Sequence, residues 1–252
     1  MPENSTTHSD EIEQVRRESR QYLQNVAHQL TAPLGAIKWS IEAIKDQEIP
    51  IQRKMSLLSS VYSQATILVH LIKNFALMSN LEADHELGEF RDKPDLIDVH
   101  LLCINLANDF QPQGAEADKS IEVVDDSFYR TLGLRKLQIV KNLVAQAISN
   151  LLENAVKYSE GGTKITISAD RTADGIGLVV RSMGLIIKQE EIPLLCNRSY
   201  RGSEAKKRVP PGTGIGLYLA KRIMDMHGGR VEVLTEGRVS SFVLRFPTSR
   251  AI

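Results

Sequence analysis

Cysteine is close to absent: Cys103 and Cys196 are the only two among 252 residues, far apart and each in apolar surroundings. So sparse a usage excludes a disulfide scaffold and a cysteine-ligated metal site, and it suits reduced core thiols in a cytosolic protein. Net charge is missing too. Lys and Arg together number 31 and Asp and Glu 31, intermixed along the chain, so there is no electrostatic footprint for nucleic acid or anionic lipid. No stretch approaches the roughly 20 apolar residues that span a bilayer, and the polar opening Met1 to Asp10 lacks the apolar core of a signal peptide. The expectation is a cytoplasmic location without membrane contact in this chain, either alone or as the cytoplasmic part of a longer membrane-bound protein.

What is present divides into two textures. From about Asp10 to Asp46, Ile12, Val15, Tyr22, Val26, Leu30, Ile37, Ile41 and Ile44 recur at three- and four-residue steps, which predicts one long amphipathic helix. Gln47 to Ile51, with Pro50 inside, breaks the pattern. A second stripe follows through Met55, Leu58, Tyr62, Ala65, Val69, Ile72 and Ala76. Two helices cannot bury faces this wide against each other alone, so a four-helix bundle made by two chains is expected, and with it a homodimer. Leu81 to Pro94 reads as a polar linker, dividing the chain into residues 1–86 and 87–252.

In the second part Asp98 is a candidate N-cap for a helix to about Gly114. Strands are expected at Ser120–Val124, Leu134–Val140, Lys164–Ala169, Ile176–Arg181, Arg230–Thr235 and Ser240–Phe246, with helices at Lys141–Tyr158 and Gly214–His227. The order predicts an α+β chain: the hairpin, then an α/β sandwich with one mixed sheet covered by helices on one face.

Two groups of residues in the second part suit a nucleotide. In Gly212-Thr213-Gly214-Ile215-Gly216-Leu217, glycines let the backbone approach a ligand, and free N–H groups at a helix start face a phosphate. The spacing is neither the dinucleotide-binding fingerprint nor a P-loop. Upstream, Asn150, Asn154, Lys157 and Tyr158 fall on one side of a helix end. A carboxamide oxygen there suits Mg²⁺, a lysine suits phosphate and an aromatic suits a base. In the first part His28 projects opposite the apolar stripe, and Pro33 removes the amide that would bond the Gln29 carbonyl, which predicts a bend beside His28.

Together these motifs resemble the sensor histidine kinases. Asn150 to Tyr158 and Gly212 to Leu217 are similar to the N box and second glycine box of the Bergerat ATP-binding fold, which those kinases share with Hsp90, type II topoisomerases and MutL. Tyr200-Arg201-Gly202 resembles their F box, and Met226-His227-Gly228-Gly229 resembles the helix end after their second glycine box. His28-Gln29-Leu30-Thr31-Ala32-Pro33-Leu34 resembles their H box. The resemblance covers about residues 10–248 and implies ATP-dependent autophosphorylation of His28, then transfer to an aspartate on a response-regulator receiver domain. ATP and Mg²⁺ are the implied cofactors, with Asn154 at the metal, Lys157 at the phosphates, and Arg201 or Arg208 near the γ-phosphate.

The chain departs from the family at three positions. Gln29 stands where an acidic residue is thought to act as base, and a carboxamide cannot take a proton. Ala32 stands where Thr or Asn positions water for dephosphorylating the regulator. In Ser182-Met183-Gly184-Leu185-Ile186-Ile187, which aligns with the first glycine box, Ser182 replaces the adenine-reading Asp and Ile186 the second glycine. These departures frame an alternative, a pseudokinase scaffold that docks a regulator with weak or no ATP turnover. A Bergerat ATPase outside phosphorelay is disfavoured by the His28 hairpin.

Overall fold

The computed structural model describes residues 4–45, 49–82, 93–133, 136–209 and 212–251, and of these the side chains of all but 4–22, 25, 81 and 82. Ile12, Val15 and Tyr22 of the first stripe, Gln47, and most of the expected linker lie outside that description.

Helix α1 (Asn4–Ile44) packs along α2 (Ile51–Glu82). The turn before α2 is closed by Pro50, whose carbonyl accepts from the amides of Arg53 at 2.9 Å and Lys54 at 3.1 Å. The helix α1 runs through Pro33 unbroken. Two residues before it, the Thr31 hydroxyl donates to the Ala27 carbonyl at 2.7 Å.

The apolar stripe of α2 has a different fate from the one a lone hairpin would give it. Leu57, Ser63, His70, Leu77 and Met78 are the residues the chain buries, whereas Met55, Leu58, Tyr62, Val69 and Ile72 stay about half exposed or more. The helix therefore has a face used within the chain and an apolar face left open. Between Ile51 and Asn80 it is also long and apolar enough, by length and composition, to cross a membrane. This corrects the reading that no stretch approaches a span. Few charges interrupt the segment, and a hairpin helix with an uncovered stripe passes the same test.

Past the hairpin come β1 (Asp95–Ile97), α3 (Val99–Glu116), β2 (Lys119–Val123), α4 (Asp125–Leu132), β3 (Leu137–Ile139), α5 (Lys141–Tyr158), β4 (Thr163–Thr172) and β5 (Gly175–Met183). A 3-10 turn (Gln189–Leu194), α6 (Ser203–Arg208), α7 (Gly216–Met226), β6 (Arg230–Glu236) and β7 (Val239–Phe246) complete the domain. The main sheet has the order β2-β4-β5-β7-β6, with β2 and β4 parallel and the other pairs antiparallel, and β1 pairs with β3 apart from it. Alternation along the strands turns Ile165, Ile167, Ile176, Leu178, Val180, Leu244 and Phe246 to one face. There they join Phe110, Phe128, Leu151, Leu152, Leu219 and Ile223 of the helices in one core. Each such side chain contributes about 1.5–3 kcal/mol of transfer free energy. Leu77 and Met78 enter the same core, so the hairpin is docked on the sandwich.

Asp98 caps α3 as expected, its side chain accepting from the Leu101 amide at 3.0 Å. His227 ends α7 and ties it to α5. Its Nδ1–H donates to the Ile223 carbonyl at 2.7 Å, and its Nε2 accepts from the Val140 amide at 3.0 Å. Burial lowers the pKa of this ring, which keeps it in the neutral form that the two bonds require. Gly228, at φ +69°, then turns the chain toward β6.

Candidate functional site

One cavity gathers most of the residues singled out in the sequence. Asn150, Asn154, Lys157 and Tyr158 line it from α5, where steps of three and four residues place them on one side of the helix. Ser182 and Gly184 line it from the end of β5. A Cβ on Gly184 would lie 2.2 Å from the Tyr158 carbonyl oxygen, so only glycine lets β5 meet the end of α5. Gly212, Thr213, Gly214, Gly216 and Leu217 line it from the glycine loop and the start of α7. Gly214 holds φ +67°, and a Cβ there would meet backbone of Ser199 and Tyr200 at 2.7 Å. Ile215 does not line the cavity: it is 3% exposed and anchors the glycine loop in the core.

Tyr200 and Arg201 line the cavity from the segment before α6. The Arg201 guanidinium donates to the Ala205 carbonyl at 3.1 Å and to the Val209 carbonyl, and so holds α6 over the site. Arg208 does not line the cavity; it donates to the Ser159 carbonyl at 3.3 Å. Asn150, expected to face a ligand, is 1% exposed and already engaged. Its Nδ2 donates to the Gly216 carbonyl at 3.2 Å. Its Oδ1 accepts from Asn74 Nδ2 at 2.7 Å, while Gln146 Nε2 donates to Asn74 Oδ1 at 2.9 Å. Asn150 thus joins α2, α5 and α7.

The hairpin reaches the cavity through Gln29, Leu71 and Asn74. With its oxygen toward the glycine loop, the orientation in which donors meet an acceptor, the Gln29 carboxamide accepts from Thr213 N at 3.0 Å and Gly212 N at 3.2 Å. His28 is exposed on the same helix, one residue away. Glu153 also lines the cavity, and loss of solvent raises its carboxyl pKa, with Lys157 opposing. Sequence reasoning missed Asn74, Leu71 and Glu153. Asn74 carried the one usable signal, a carboxamide among apolar residues of α2.

Among the described residues no cluster of three or more His, Cys, Asp or Glu is present. Among the hard oxygen donors that line the cavity are the Asn154 carboxamide and the Glu153, Glu191 and Glu204 carboxyls. Mg²⁺ fits such a set, because it draws most of its ligands from substrate phosphates and water.

Residues 139–250 match the family of histidine kinase-, DNA gyrase B- and HSP90-like ATPases. The sensor-like histidine kinase SenX3 of Mycolicibacterium smegmatis is 26% identical over 241 residues, covering 94% of this chain and 60% of the relative. The phosphate regulon sensor protein PhoR of Pseudomonas aeruginosa is 28% identical over 244 residues, covering 95% of this chain and 52% of the relative. The chain thus spans just over half the length of these two relatives. The Acinetobacter baumannii histidine kinase AdeS superposes with a TM-score of 0.50 at 19% identity, over 88% of this chain and 98% of that one. Full-length ShkA in complex with AMPPNP gives 0.55 at 18% identity, over 90% of this chain and 45% of that one. At such identities the structures speak for the fold, which is the Bergerat sandwich behind a helical hairpin. An ATPase domain of this family at residues 139–250, the hairpin before it and relatives named as sensor kinases along nearly the whole chain together support a sensor kinase transmitter module.

Proposed function

We propose that the chain is a dimeric protein histidine kinase module that moves the γ-phosphoryl group of ATP to His28 and then to an aspartate on a response-regulator receiver domain. The observation that carries this reading is the place of Gln29. The residue next to the exposed His28 is a wall residue of the cavity that collects Asn154, Lys157, Ser182 and the glycine loop. In the first transfer a lone pair on the His28 ring forms a bond to the γ-phosphorus as the bond to the β–γ bridging oxygen breaks. ADP leaves with that electron pair, and the ring proton passes to water, since the Gln29 carboxamide cannot take it.

The protein's part is positioning and charge. Lys157 faces the phosphates, and the glycine-loop amides at the start of α7 offer donors to them. Tyr158 and Ser182 lie where a base would be read. Asn154, with Glu153 beside it, would hold Mg²⁺, which when bound neutralises phosphate oxygens. The open stripe Met55, Leu58, Tyr62, Val69 and Ile72 supports dimerisation through the hairpin, because an exposed apolar face of this length requires a partner. A cytoplasmic location, alone or as part of a membrane-bound sensor, belongs to the same proposal.

Incubation with γ-labelled ATP and Mg²⁺ tests it. Wild type should acquire acid-labile, base-stable label, and His28→Ala and Asn154→Asp should acquire none while staying folded. Label persisting in His28→Ala sinks the phosphoacceptor assignment. A wild type that binds ATP and stays unlabelled favours the pseudokinase scaffold.

A further inference from the structure

A second cavity, of about 660 Å³, lies in the seam where α2 packs on α3 and α5, and its size falls within the roughly 300–1,000 Å³ of small-molecule sites. Among the described residues it shares no lining residue with the nucleotide cavity. Leu77, Leu106 and Leu143 give it apolar walls. Two buried polar atoms on its lining residues are without hydrogen-bond partners, the Oγ of Ser149, which is 1% exposed, and the Nδ1 of His70, which is 8% exposed. A buried polar atom left unpaired is costly, so a ligand that bonds both is favoured. Lys73 lines the cavity one helical turn after His70. The bond from Gln146 to Asn74, at 2.9 Å, brings the Ser149 turn of α5 beside the Lys73 turn of α2. At the far end the Asp109 carboxylate accepts from the Tyr62 hydroxyl at 3.3 Å. Eleven residues of α2 separate Tyr62 from Lys73, roughly 16 Å at the helical rise.

We propose that this seam is a second ligand site, for a small monoanionic acid whose carboxylate meets Lys73, Ser149 and His70 and whose apolar body lies along the three leucines. The donors suit that head group. Burial and Lys73 lower the pKa of the His70 ring from 6.5 to about 4, so at neutral pH the ring carries a single N–H, which donates from Nδ1 in one tautomer. The Ser149 hydroxyl adds a second donor, and the Lys73 ammonium supplies the charge. A lone ammonium without a guanidinium fork favours a carboxylate over a phosphate. Asp109 at the far end repels a second negative charge, which selects a monoanion. Such an acid, bound between α2 and α5, ties the two helices together and stabilises their packing. The proposal stands apart from the kinase reading, because the acid is bound without nucleotide.

Calorimetric titration of the full chain with octanoate, in the absence of ATP, tests the site. Saturable binding of one octanoate per chain is expected. Lys73→Met, a change at an exposed position that leaves the fold intact, should weaken that binding roughly tenfold, and Lys73→Arg should recover most of it. Ser149→Ala should weaken it roughly fivefold. Octanol, which keeps the apolar body and loses the charge, should bind roughly tenfold more weakly than octanoate. Acetate, which keeps the charge and loses the body, should show no saturable binding. Lys157→Met, in the nucleotide cavity, should bind octanoate as wild type does. The proposal is overturned by a wild type that takes up no octanoate at millimolar concentration, or by octanol or acetate binding as well as octanoate. Full affinity in Lys73→Met also overturns it, and so does loss of binding in Lys157→Met, which would place the acid in the nucleotide cavity.

Discussion

Replacing Gly184 with alanine should loosen the floor of the nucleotide cavity. The new methyl would lie 2.2 Å from the Tyr158 carbonyl oxygen and 2.6 Å from the Ser159 Cα. Both neighbours are backbone at the end of α5, so neither has a rotamer to yield. Relief requires β5 and α5 to part, and two bonds cross that seam. They run from Glu160 N to Met183 O at 2.9 Å and from Leu185 N to Tyr158 O at 3.3 Å. Overpacking costs about 1–3 kcal/mol, and weakening one or two of these bonds adds about 1 kcal/mol. The expected loss is about 3 kcal/mol, or roughly 6–12 °C in the melting temperature of a domain this size. Gly216→Ala is the control. Its Cβ would meet Asn150 at 3.6 Å, an ordinary contact, and stability should stay within about 0.5 kcal/mol of wild type. Urea unfolding followed by far-UV circular dichroism reads both variants. A Gly184→Ala midpoint equal to wild type would refute the argument that this approach requires glycine.

Ser182 is 8% exposed in the cavity, and its hydroxyl is a weaker acceptor for an adenine amino group than a carboxylate. Ser182→Asp should improve ATP affinity about tenfold and favour ATP over GTP; tight, adenine-selective binding by wild type, unimproved by the change, would show another group in that role. Acid should destabilise the fold through His70, whose pKa burial and Lys73 lower from 6.5 to about 4. The unfolded ring gains a proton below 6.5 that the folded ring refuses, so this stability is complete above pH 6.5 and is lost as pH falls toward 4, by at most about 3 kcal/mol. His227 acts in the same direction. Melting temperatures at pH 7.5 and 5 should therefore converge partly in His70→Gln, and an unchanged difference would count against the assignment. Arg245, 4% exposed between Asp170 and Glu232, should cost about 2 kcal/mol as Arg245→Met, a moderate value because both carboxylates keep some solvent. A neutral change in urea midpoint would show the network to be dispensable.

The elements with strong local signals were legible before the structure. Helix α5 has the bounds that its periodicity marked, Asp98 caps α3, and β6 and β7 differ from the expected strands by one residue at single ends. The strand β1 and helix α4 were not read. The first is three residues long and exists through its pairing with β3. The second is eight residues long, has no side-chain cap, and buries only Phe128, Thr131 and Leu132. Of the site, spacing along one helix could show that Asn154, Lys157 and Tyr158 share a face. It could not show that Asn150 is spent on Asn74 and Gly216, nor that Ile215 turns into the core, because both depend on how α2 and α7 dock. The stripe on α2 was visible as a pattern, but which of its two faces the chain covers is a tertiary fact.

The central claim, transfer of phosphate from ATP to His28, is tested most directly by mapping the modification. Wild-type protein exposed briefly to ATP and Mg²⁺ should be digested at alkaline pH and its peptides fragmented by mass spectrometry. The account predicts a phosphoryl group on the His28 imidazole that survives base, disappears in acid and is absent when Mg²⁺ is withheld. Phosphate on a serine, threonine or other residue, or none on a protein shown to bind ATP, would contradict it.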